Sequence, residues 1–574
     1  MISQEVSLLQ QDINPKAHSF NDYFSVIKKM VSHRNSFSEK SNEFICWQDE
    51  IDKIYTLVAD EIQNSQSQPV SQIKFGTSGW RGILGKDLTC KTVMQVAQAI
   101  VSVYESLKNN QDLADALGVS SLSEAQNRGC VIGHDNRFGG GLLAHSVTKI
   151  LTSNGFVVHY AGESTTGCLS ASVLELNAAF SVNLTPSHNP LEYGGFKFNA
   201  ADGGPAAPII TDKITALTRR IVSKDIPLSV TPDIKLIHDI NSLEHWKSLV
   251  RKNSTSHGLN YDLIMDMFAQ NSNCVVAVDP LHGASRIHIR SLFHNIDSDR
   301  LILLRDTADP TFGGVAPEPS TENMKEVINA LQKRPEPLKL GVVLDPDGDR
   351  IRFTDGTVQI NMNSFGAMAY HYLHEGKGKT GMVAKTVATS NFANAIAHGF
   401  GEEIFEPKVG FKEFKPVIDK ALVCFEESDG ITVIGHTPEK DGYIGLILAL
   451  DMMLNRKQNI GDYLNEIREE FGYYYPDKDG IVVSQQGQEL KNTLAGLEKY
   501  ETGGKIKVGS TEKTISQVID IDGLKLIFQD NSWLMIRPSG TEPKVRFYVE
   551  ARTEPEKNEL FSAARILLEK IGLI

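Results

Sequence analysis

The chain has 574 residues, too many for one compact core, and this length predicts roughly three to four domains. A formal charge of -13, from 71 acidic against 58 basic residues, argues against nucleic acid as a principal partner. No stretch is long and apolar enough to span a bilayer, the start of the chain lacks a secretory apolar region, and the six cysteines show neither metal nor redox spacing, so a cytoplasmic protein without membrane contact is expected.

In chain order, residues 1–70 read as a helical extension. Ser19 opens a helical pattern with Phe20, Tyr23, Phe24, Ile27 and Val31 on one face. Trp47, Ile51, Ile54, Tyr55, Val58 and Ile62 make a second, and such a pair is expected to pack on its own chain. The polar run Asn64-Ser-Gln-Ser-Gln-Pro69 reads as a linker. Val93, Val96, Ala97, Ile100, Tyr104 and Leu107 mark a helix facing a sheet, whereas residues 108–128 are polar and predict a loop with a short helical turn. Cys130-Val-Ile-Gly133, Phe156-Val-Val158 and residues 180–184 then alternate with helical segments, the pattern of a mixed or parallel α/β sheet. The pattern recurs with Cys274-Val-Val-Ala-Val278 and residues 341–344, then with Met382-Val-Ala384 and Leu422-Val-Cys424, so Cys274 and Cys424 read as buried thiols. The last piece differs. It is a hairpin followed by a helix carrying Leu560, Phe561, Ala564, Leu567 and Leu568. The fold class expected is α/β, with three similar mixed-sheet domains and a smaller α+β C-terminal domain.

Four loops on this scaffold carry chemistry. Thr185-Pro-Ser-His-Asn-Pro190 follows an apolar strand, and its two prolines prevent helix or ladder from continuing through Ser187. A hydroxyl exposed on such a turn, with His188 beside it and Lys197 further on, can carry a phosphoryl group. Asp345-Pro-Asp-Gly-Asp-Arg350 places Asp345, Asp347 and Asp349 at alternate positions after a second apolar strand. Carboxylates so close repel one another, and a hard divalent cation resolves the repulsion; Mg²⁺ prefers oxygen ligands and keeps positions open for a phosphate oxygen. A calcium loop would need further ligands and a distal glutamate, but the chain returns to Ile-Arg-Phe after Arg350. Phe425-Glu-Glu-Ser-Asp-Gly430 offers Glu426 and Ser428 to vicinal sugar hydroxyls. Arg537-Pro-Ser-Gly-Thr-Glu-Pro543 joins two strands and offers a guanidinium, the Ser539 and Thr541 hydroxyls and close backbone approach at Gly540, a concavity suited to phosphate. It lacks the Gly-Lys-Ser/Thr ending of a P-loop.

Together and in this order the four loops resemble those of the α-D-phosphohexomutase superfamily, most closely its phosphoglucomutases. Further matches are Phe75-Gly-Thr-Ser-Gly-Trp-Arg-Gly82, Gly133-His-Asp-Asn-Arg-Phe138, Gly194-Gly-Phe-Lys197, Pro317-Glu-Pro319, Lys385-Thr386, Val409-Gly-Phe-Lys412 and Pro438-Glu-Lys-Asp-Gly442. The resemblance runs from about Lys74 to the C-terminus. It implies four domains around a central cleft, with boundaries at residues 71–250, 251–360, 361–475 and 476–574 after the extension. It also implies that Ser187 rests as phosphoserine and completes a one-Mg²⁺ site with Asp345, Asp347 and Asp349. Arg81 and Arg350 would neutralise the phosphoryl in flight. Glu426 and Ser428 would hold the sugar, and Lys385, Lys412, Arg537, Ser539, Gly540 and Thr541 would complete substrate binding. His188, Lys197 and Lys440 are candidates for the proton transfer. Lys440 matches the residue given that task in phosphoglucomutases, and Gly430 stands where other mutases place a histidine. The expected reaction interconverts glucose 1-phosphate and glucose 6-phosphate through glucose 1,6-bisphosphate, in a monomer or homodimer. Phosphomannomutase is the nearest rival; bisphosphate synthesis from another donor and a non-enzymatic sugar-phosphate-binding paralogue are further alternatives. A phosphatase of the alkaline-phosphatase kind would need a histidine set for a second metal, and the sequence shows no such set.

Overall fold

The computed structural model describes residues 9–11, 13–14, 18–76, 79–294, 296, 298–539 and 544–574. The chain divides into two compact units, Met1–Gln359 with Gly435–Asn459, and Ile360–Ile434 with Ile460–Ile574.

The first unit holds two mixed sheets. In one, the strands run in the order Trp80–Ile83, Tyr193–Asn199, Phe180–Leu184, Cys130–His134, Val158–Glu163, Ile237–Asp239. The first three are antiparallel neighbours and the rest pair in parallel. The other sheet centres on Cys274–Asp279 and Leu338–Leu344, parallel to each other, with Ile351–Thr354 antiparallel at the far side of Leu338–Leu344. The second unit repeats the arrangement in a smaller sheet, where Val383–Lys385 and Val423–Glu426 are parallel and Gly430–Val433 returns antiparallel. Its last sheet has six strands, all antiparallel, from Tyr475–Val482 through Lys544–Ala551 and Trp533–Pro538 to Lys505–Val508. The helix Glu556–Lys570 buries Leu560, Ala564, Leu567 and Leu568 in the core of this sheet. The α/β class with three related mixed sheets and an α+β end is the fold observed.

One regularity of connection positions the chemistry. In each sheet a strand leads through a short loop into an antiparallel neighbour: Phe180–Leu184 into Tyr193–Asn199, Leu338–Leu344 into Ile351–Thr354, Val423–Glu426 into Gly430–Val433, Trp533–Pro538 into Lys544–Ala551. The four loops singled out in the sequence are these four connections.

Local readings need three corrections. The first helix runs Tyr23–Arg34 and is capped by Asp22, whose carboxylate accepts from the Ser25 N–H at 3.0 Å, so Ser19 does not open it and Phe20 is exposed. Residues 108–128 contain two helices, Gln111–Leu117 and Leu122–Arg128; Asn110 and Ser121 cap their starts, and Gly118 and Gly129 end them with positive φ. The strand expected at Phe156 begins at Val158, because the Phe156 N–H bonds back to Leu151 and that of Val157 to Gln126. The extension packs as expected. Trp47, Ile51, Val58 and Ile62 of the helix Asn42–Asn64 are fully buried in one core with Val93, Val96 and Ile100 of the helix Cys90–Glu105.

Candidate functional site

The strand Phe180–Leu184 is buried along its whole length and delivers the chain to Ser187. Here the backbone turns left-handed, with φ +63° at Ser187, a conformation non-glycine residues adopt at a cost of order 1–3 kcal/mol and one that concentrates at functional sites. The serine is not exposed, as its turn suggested, but 2% accessible. The turn folds inward because the Ser187 N–H donates to Thr185 Oγ1 (2.9 Å) and Thr185 Oγ1 in turn donates to buried Asp135 (2.6 Å). Ser187 Oγ donates to Asp345 Oδ2 at 2.6 Å and lies 3.3 Å from His188 Nδ1.

The 345–350 loop is closed by its own bonds: the Gly348 N–H donates to the Asp345 carbonyl (2.9 Å) and the Arg350 N–H to Asp345 Oδ1 (3.0 Å). Gly348 has φ +64°, and a Cβ there would meet Thr165 Cγ2 at 2.8 Å, so glycine is required twice over. Asp345, Asp347 and Asp349 are all fully buried and present oxygens within 4.8 Å of one another. Lys197 reaches into them, 2.6 Å from Asp347 Oδ2 and 2.8 Å from Asp349 Oδ2, and Lys440 Nζ stands 3.4 Å from the same Asp349 oxygen. Burial and the two neighbouring aspartates raise the Asp345 pKa. Burial also acts to raise that of Asp349, but Lys197, Lys440 and Arg350 reverse it and hold it ionised. Burial alone would lower the Lys197 pKa; Asp347 and Asp349 outweigh it and the net shift is upward. The His188 pKa is depressed by burial and then by Arg350 and Arg81, which favours the neutral ring. Asp347 Oδ1 and Asp349 Oδ1 are buried with no hydrogen-bond partner among the described residues. Open carboxylate oxygens beside a buried serine fit a hard cation such as Mg²⁺.

Around this cluster Arg81 lies on the strand Trp80–Ile83, its pKa lowered by burial and by Arg350. The segment bearing Lys440 is bolted to the acidic loop, because the Gly442 N–H donates to the Gly348 carbonyl at 2.9 Å. Asp441 anchors it from behind, accepting from Trp246 Nε1 and the Tyr443 N–H and lying 2.6 Å from His436 Nε2. His436 is itself buried.

The other expected residues belong to the second unit. Glu426 ends its strand opposite Gly430, and the turn between them places Asp429 at φ +70°. Glu426 is buried and Ser428 half-buried, whereas Glu427 is drawn back to Thr389 Oγ1 through its N–H (3.1 Å). Arg537 pairs with Asp522 at 3.0 Å, and Asp522 also accepts the Val409 N–H at 3.1 Å, which ties the last hairpin to the segment carrying half-buried Lys412. The Ser539 N–H bonds the Lys544 carbonyl at 2.8 Å; Gly540 and Thr541 lie outside the described residues. Lys385 sits at the end of the strand Val383–Lys385. It is fully buried, 3.1 Å from Glu406 Oε2 and bonded to the Thr389 carbonyl and Asn391 Oδ1.

Sequence reasoning gave no role to Asp135, Thr166 or Arg137. Thr166 Oγ1 donates to Asp347 Oδ2 at 2.8 Å. Arg137 is buried and gathers the loop carbonyls of Ser187 (2.8 Å), Asn189, Pro190 (2.7 Å) and Tyr193 (3.3 Å). The match at residues 133–138 was a signal for Asp135 and Arg137, and Thr166 had none.

The chain matches phosphoglucomutase/phosphomannomutase alpha/beta/alpha domain I over residues 72–225, domain II over 258–358, domain III over 361–471 and the C-terminal domain over 489–566. It is 25% identical over 506 residues to the phosphoglucosamine/phosphogalactosamine mutase of Sulfurisphaera tokodaii, covering 86% of this chain and 99% of that one. It is 26% identical over 535 residues to the phosphoglucomutase of Staphylococcus haemolyticus, covering 84% and 91%. Among solved structures, the phosphoglucomutase pp63/parafusin of Paramecium in its open form shares the fold with a TM-score of 0.68 at 20% identity, over 89% of this chain and 97% of that one. The chain belongs to the phosphoglucomutase/phosphomannomutase family of the α-D-phosphohexomutase superfamily, enzymes that transfer phosphate within one substrate.

Proposed function

We propose that the chain interconverts glucose 1-phosphate and glucose 6-phosphate, with Ser187 as the carrier of the phosphoryl group. The observation that carries this reading is the Ser187 hydroxyl, buried on a left-handed turn and 2.6 Å from Asp345 in a cluster of three carboxylates. In the reaction O6 of glucose 1-phosphate attacks the phosphorus of phosphoserine 187. The bond from phosphorus to Ser187 Oγ breaks, and glucose 1,6-bisphosphate forms. Arg81 and Arg350 neutralise the charge in flight. The proton leaving O6 passes to Lys440 or to the neutral His188 ring rather than to Lys197, which Asp347 and Asp349 keep protonated, and returns in the second half-reaction. After the bisphosphate turns end for end, Ser187 Oγ recovers the phosphoryl from O1 and glucose 6-phosphate leaves. Mg²⁺ held by Asp345, Asp347, Asp349 and a phosphoserine oxygen would supply a Lewis acid that stabilises the serine alkoxide. Glu426 and Ser428 hold the sugar hydroxyls, while Lys412, Arg537, Ser539, Gly540 and Thr541 grip the phosphate not being transferred.

Mannose 1-phosphate is the second reading, because a relative at 24% identity, from Thermococcus kodakarensis, is named phosphoglucomutase/phosphomannomutase. A coupled assay comparing glucose 1-phosphate with mannose 1-phosphate, together with phosphate mapping, tests both. We expect glucose 1-phosphate to be preferred, phosphate on Ser187, and turnover lowered by several orders of magnitude in Ser187→Ala. Phosphate on another serine, with Ser187→Ala fully active, would overturn the assignment. Equal turnover of the two sugars would replace the glucose reading by a dual one.

A further inference from the structure

The family match begins at residue 72 and leaves the extension without a role. Its helix Tyr23–Arg34 ends in a buried arginine, 3% exposed. Arg34 donates to Gln48 Oε1 within the extension, and its other Nη reaches Thr311 Oγ1 (3.4 Å) and Asp309 Oδ2 (3.5 Å). Asn35 adds a bond from Nδ2 to the Gly313 carbonyl at 2.8 Å. The turn so held is unusual. Phe312, Gly313 and Gly314 are all left-handed, with φ +54°, +63° and +81°. A buried phenylalanine keeps such a conformation only where its surroundings over-determine it. Asp309 accepts from the Thr311 and Gly313 N–H groups, and the Gly314 position is walled by Val31 and Asn35 of the extension.

The consequence is the direction of the Phe312 ring. It lies under the Arg137 guanidinium, 4.8 Å from Cζ to the ring centroid, and Arg137 is the group that holds the carbonyls of the Ser187 loop. The neighbours of Arg137 run the same way. Phe138 stacks on Tyr55 of the extension with centroids 4.3 Å apart. Asn136 donates to the His282 carbonyl, two residues before Ala284, whose N–H bonds the Pro346 carbonyl of the acidic loop at 2.7 Å. The run from Asp135 to Phe138 thus reaches the serine loop through Asp135 and Arg137, a segment bonded to the acidic loop through Asn136, and the extension through Phe138.

We propose that the N-terminal extension is part of the reaction centre's framework, with Arg34 and Phe312 as positioning residues that fix the Ser187 loop through Arg137. The inference rests on the reading of Ser187 as phosphoryl carrier. Arg34 orders the 309–314 turn, the turn presents the Phe312 ring, and the ring fixes the plane of the guanidinium. That plane decides which carbonyls Arg137 can reach, because its N–H groups form a rigid fork.

The test uses the full chain with Phe312→Leu, Phe312→Tyr and Arg34→Ala. Phe312→Leu keeps apolar volume and removes the ring face; Phe312→Tyr keeps the ring. Amide hydrogen exchange over residues 185–193 should quicken by about tenfold or more in Phe312→Leu and Arg34→Ala, while the buried strand Cys274–Asp279 exchanges as before. In the same two variants kcat should fall about tenfold or more with KM within about twofold, and Phe312→Tyr should restore both readouts. Unchanged exchange at 185–193, faster exchange without a fall in kcat, or equal acceleration at Cys274–Asp279 would each overturn the proposal. If Arg34→Ala fails to fold, Phe312→Leu alone decides. Ser187→Ala run in parallel separates the two claims: its full activity would remove the functional reading, while the exchange data still judge the coupling.

Discussion

Two buried assemblies of charge in this molecule contrast in how their oxygens are satisfied. In the first unit Asp347 and Asp349 each keep a buried Oδ1 with no hydrogen-bond partner among the described residues, Arg350 Nε standing 3.9 Å from that of Asp349. In the second unit every oxygen of the corresponding acids is taken. Glu406 accepts from Lys525 (3.1 Å) on one oxygen and from Lys385 (3.1 Å) and Asn394 (3.2 Å) on the other. Glu550 accepts from Trp533 Nε1 and the Asn391 N–H on one oxygen and from the Ser390 hydroxyl on the other. Lys525 also lies over the Trp533 ring, 4.1 Å from its centroid. An unsatisfied buried acceptor costs about 1–3 kcal/mol, so open oxygens persist where a ligand is to fill them, and closed ones where the structure itself is the purpose. Substitution should therefore separate activity from stability in opposite ways at the two places.

The largest effect on turnover short of Ser187 is expected at Asp345. Asp345→Asn removes one charge from three crowded carboxylates and leaves an oxygen for the Ser187 hydroxyl. Turnover should fall about 100-fold or more for want of a charged ligand, while denaturant unfolding in a chelator shows little loss of stability. Chelation should likewise abolish wild-type activity, and added Mg²⁺ restore it. A large destabilisation without loss of turnover would erase the distinction between the assemblies.

Glu406→Gln should do the reverse. It leaves two buried ammonium groups without their carboxylate and should cost about 3–5 kcal/mol in unfolding experiments. The pH dependence carries a sign. Burial opposes ionisation of Glu406, but Lys385 and Lys525 hold its pKa down at about 2, against an ordinary 4.5. Its contribution is complete above the ordinary value and is lost as pH falls through about 2. Burial lowers the Lys385 pKa to about 8 from 10.5, so between these values the unfolded chain binds more protons and this group's contribution rises with pH. Wild type and Glu406→Gln with the same acid limb would refute the assignment.

The smallest effect is a matter of KM. Arg537→Ala should cost about 1.5–3 kcal/mol in binding, or roughly ten- to a hundredfold in KM for glucose 1-phosphate. Phosphate on Ser187 should survive, and added glucose 1,6-bisphosphate should partly rescue turnover. A fall in kcat alone would move Arg537 to the reacting centre.

The contrast also marks what the sequence could disclose. Asp345, Asp347 and Asp349 were legible because alternate acids between prolines and glycines make no sense in a surface turn. The strands were legible because each is a short apolar run. The Glu406 network was not: Lys385, Glu406, Lys525 and Glu550 are scattered along the chain, and nothing in their local sequence says that they meet. Lys385 was read as a ligand group for that reason, by motif alone. Ser187 was read as exposed because proline-framed turns usually are; the Thr185–Asp135 bond that draws it inward is made to a residue 50 positions away. The two helices within residues 108–128 were missed for a different reason, since each is a short polar segment made helical by its caps.

The shared placement of the four loops has an evolutionary reading. Each closes a hairpin between two ladder-paired strands, the stretch of a sheet where sequence is least bound by register or core volume. Such a loop can be rewritten while the strands that carry it keep their partners. Residues 427–429, the short turn between Val423–Glu426 and Gly430–Val433, could drift toward another sugar without disturbing a single buried strand. The scaffold thus separates what must be inherited from what is free to vary.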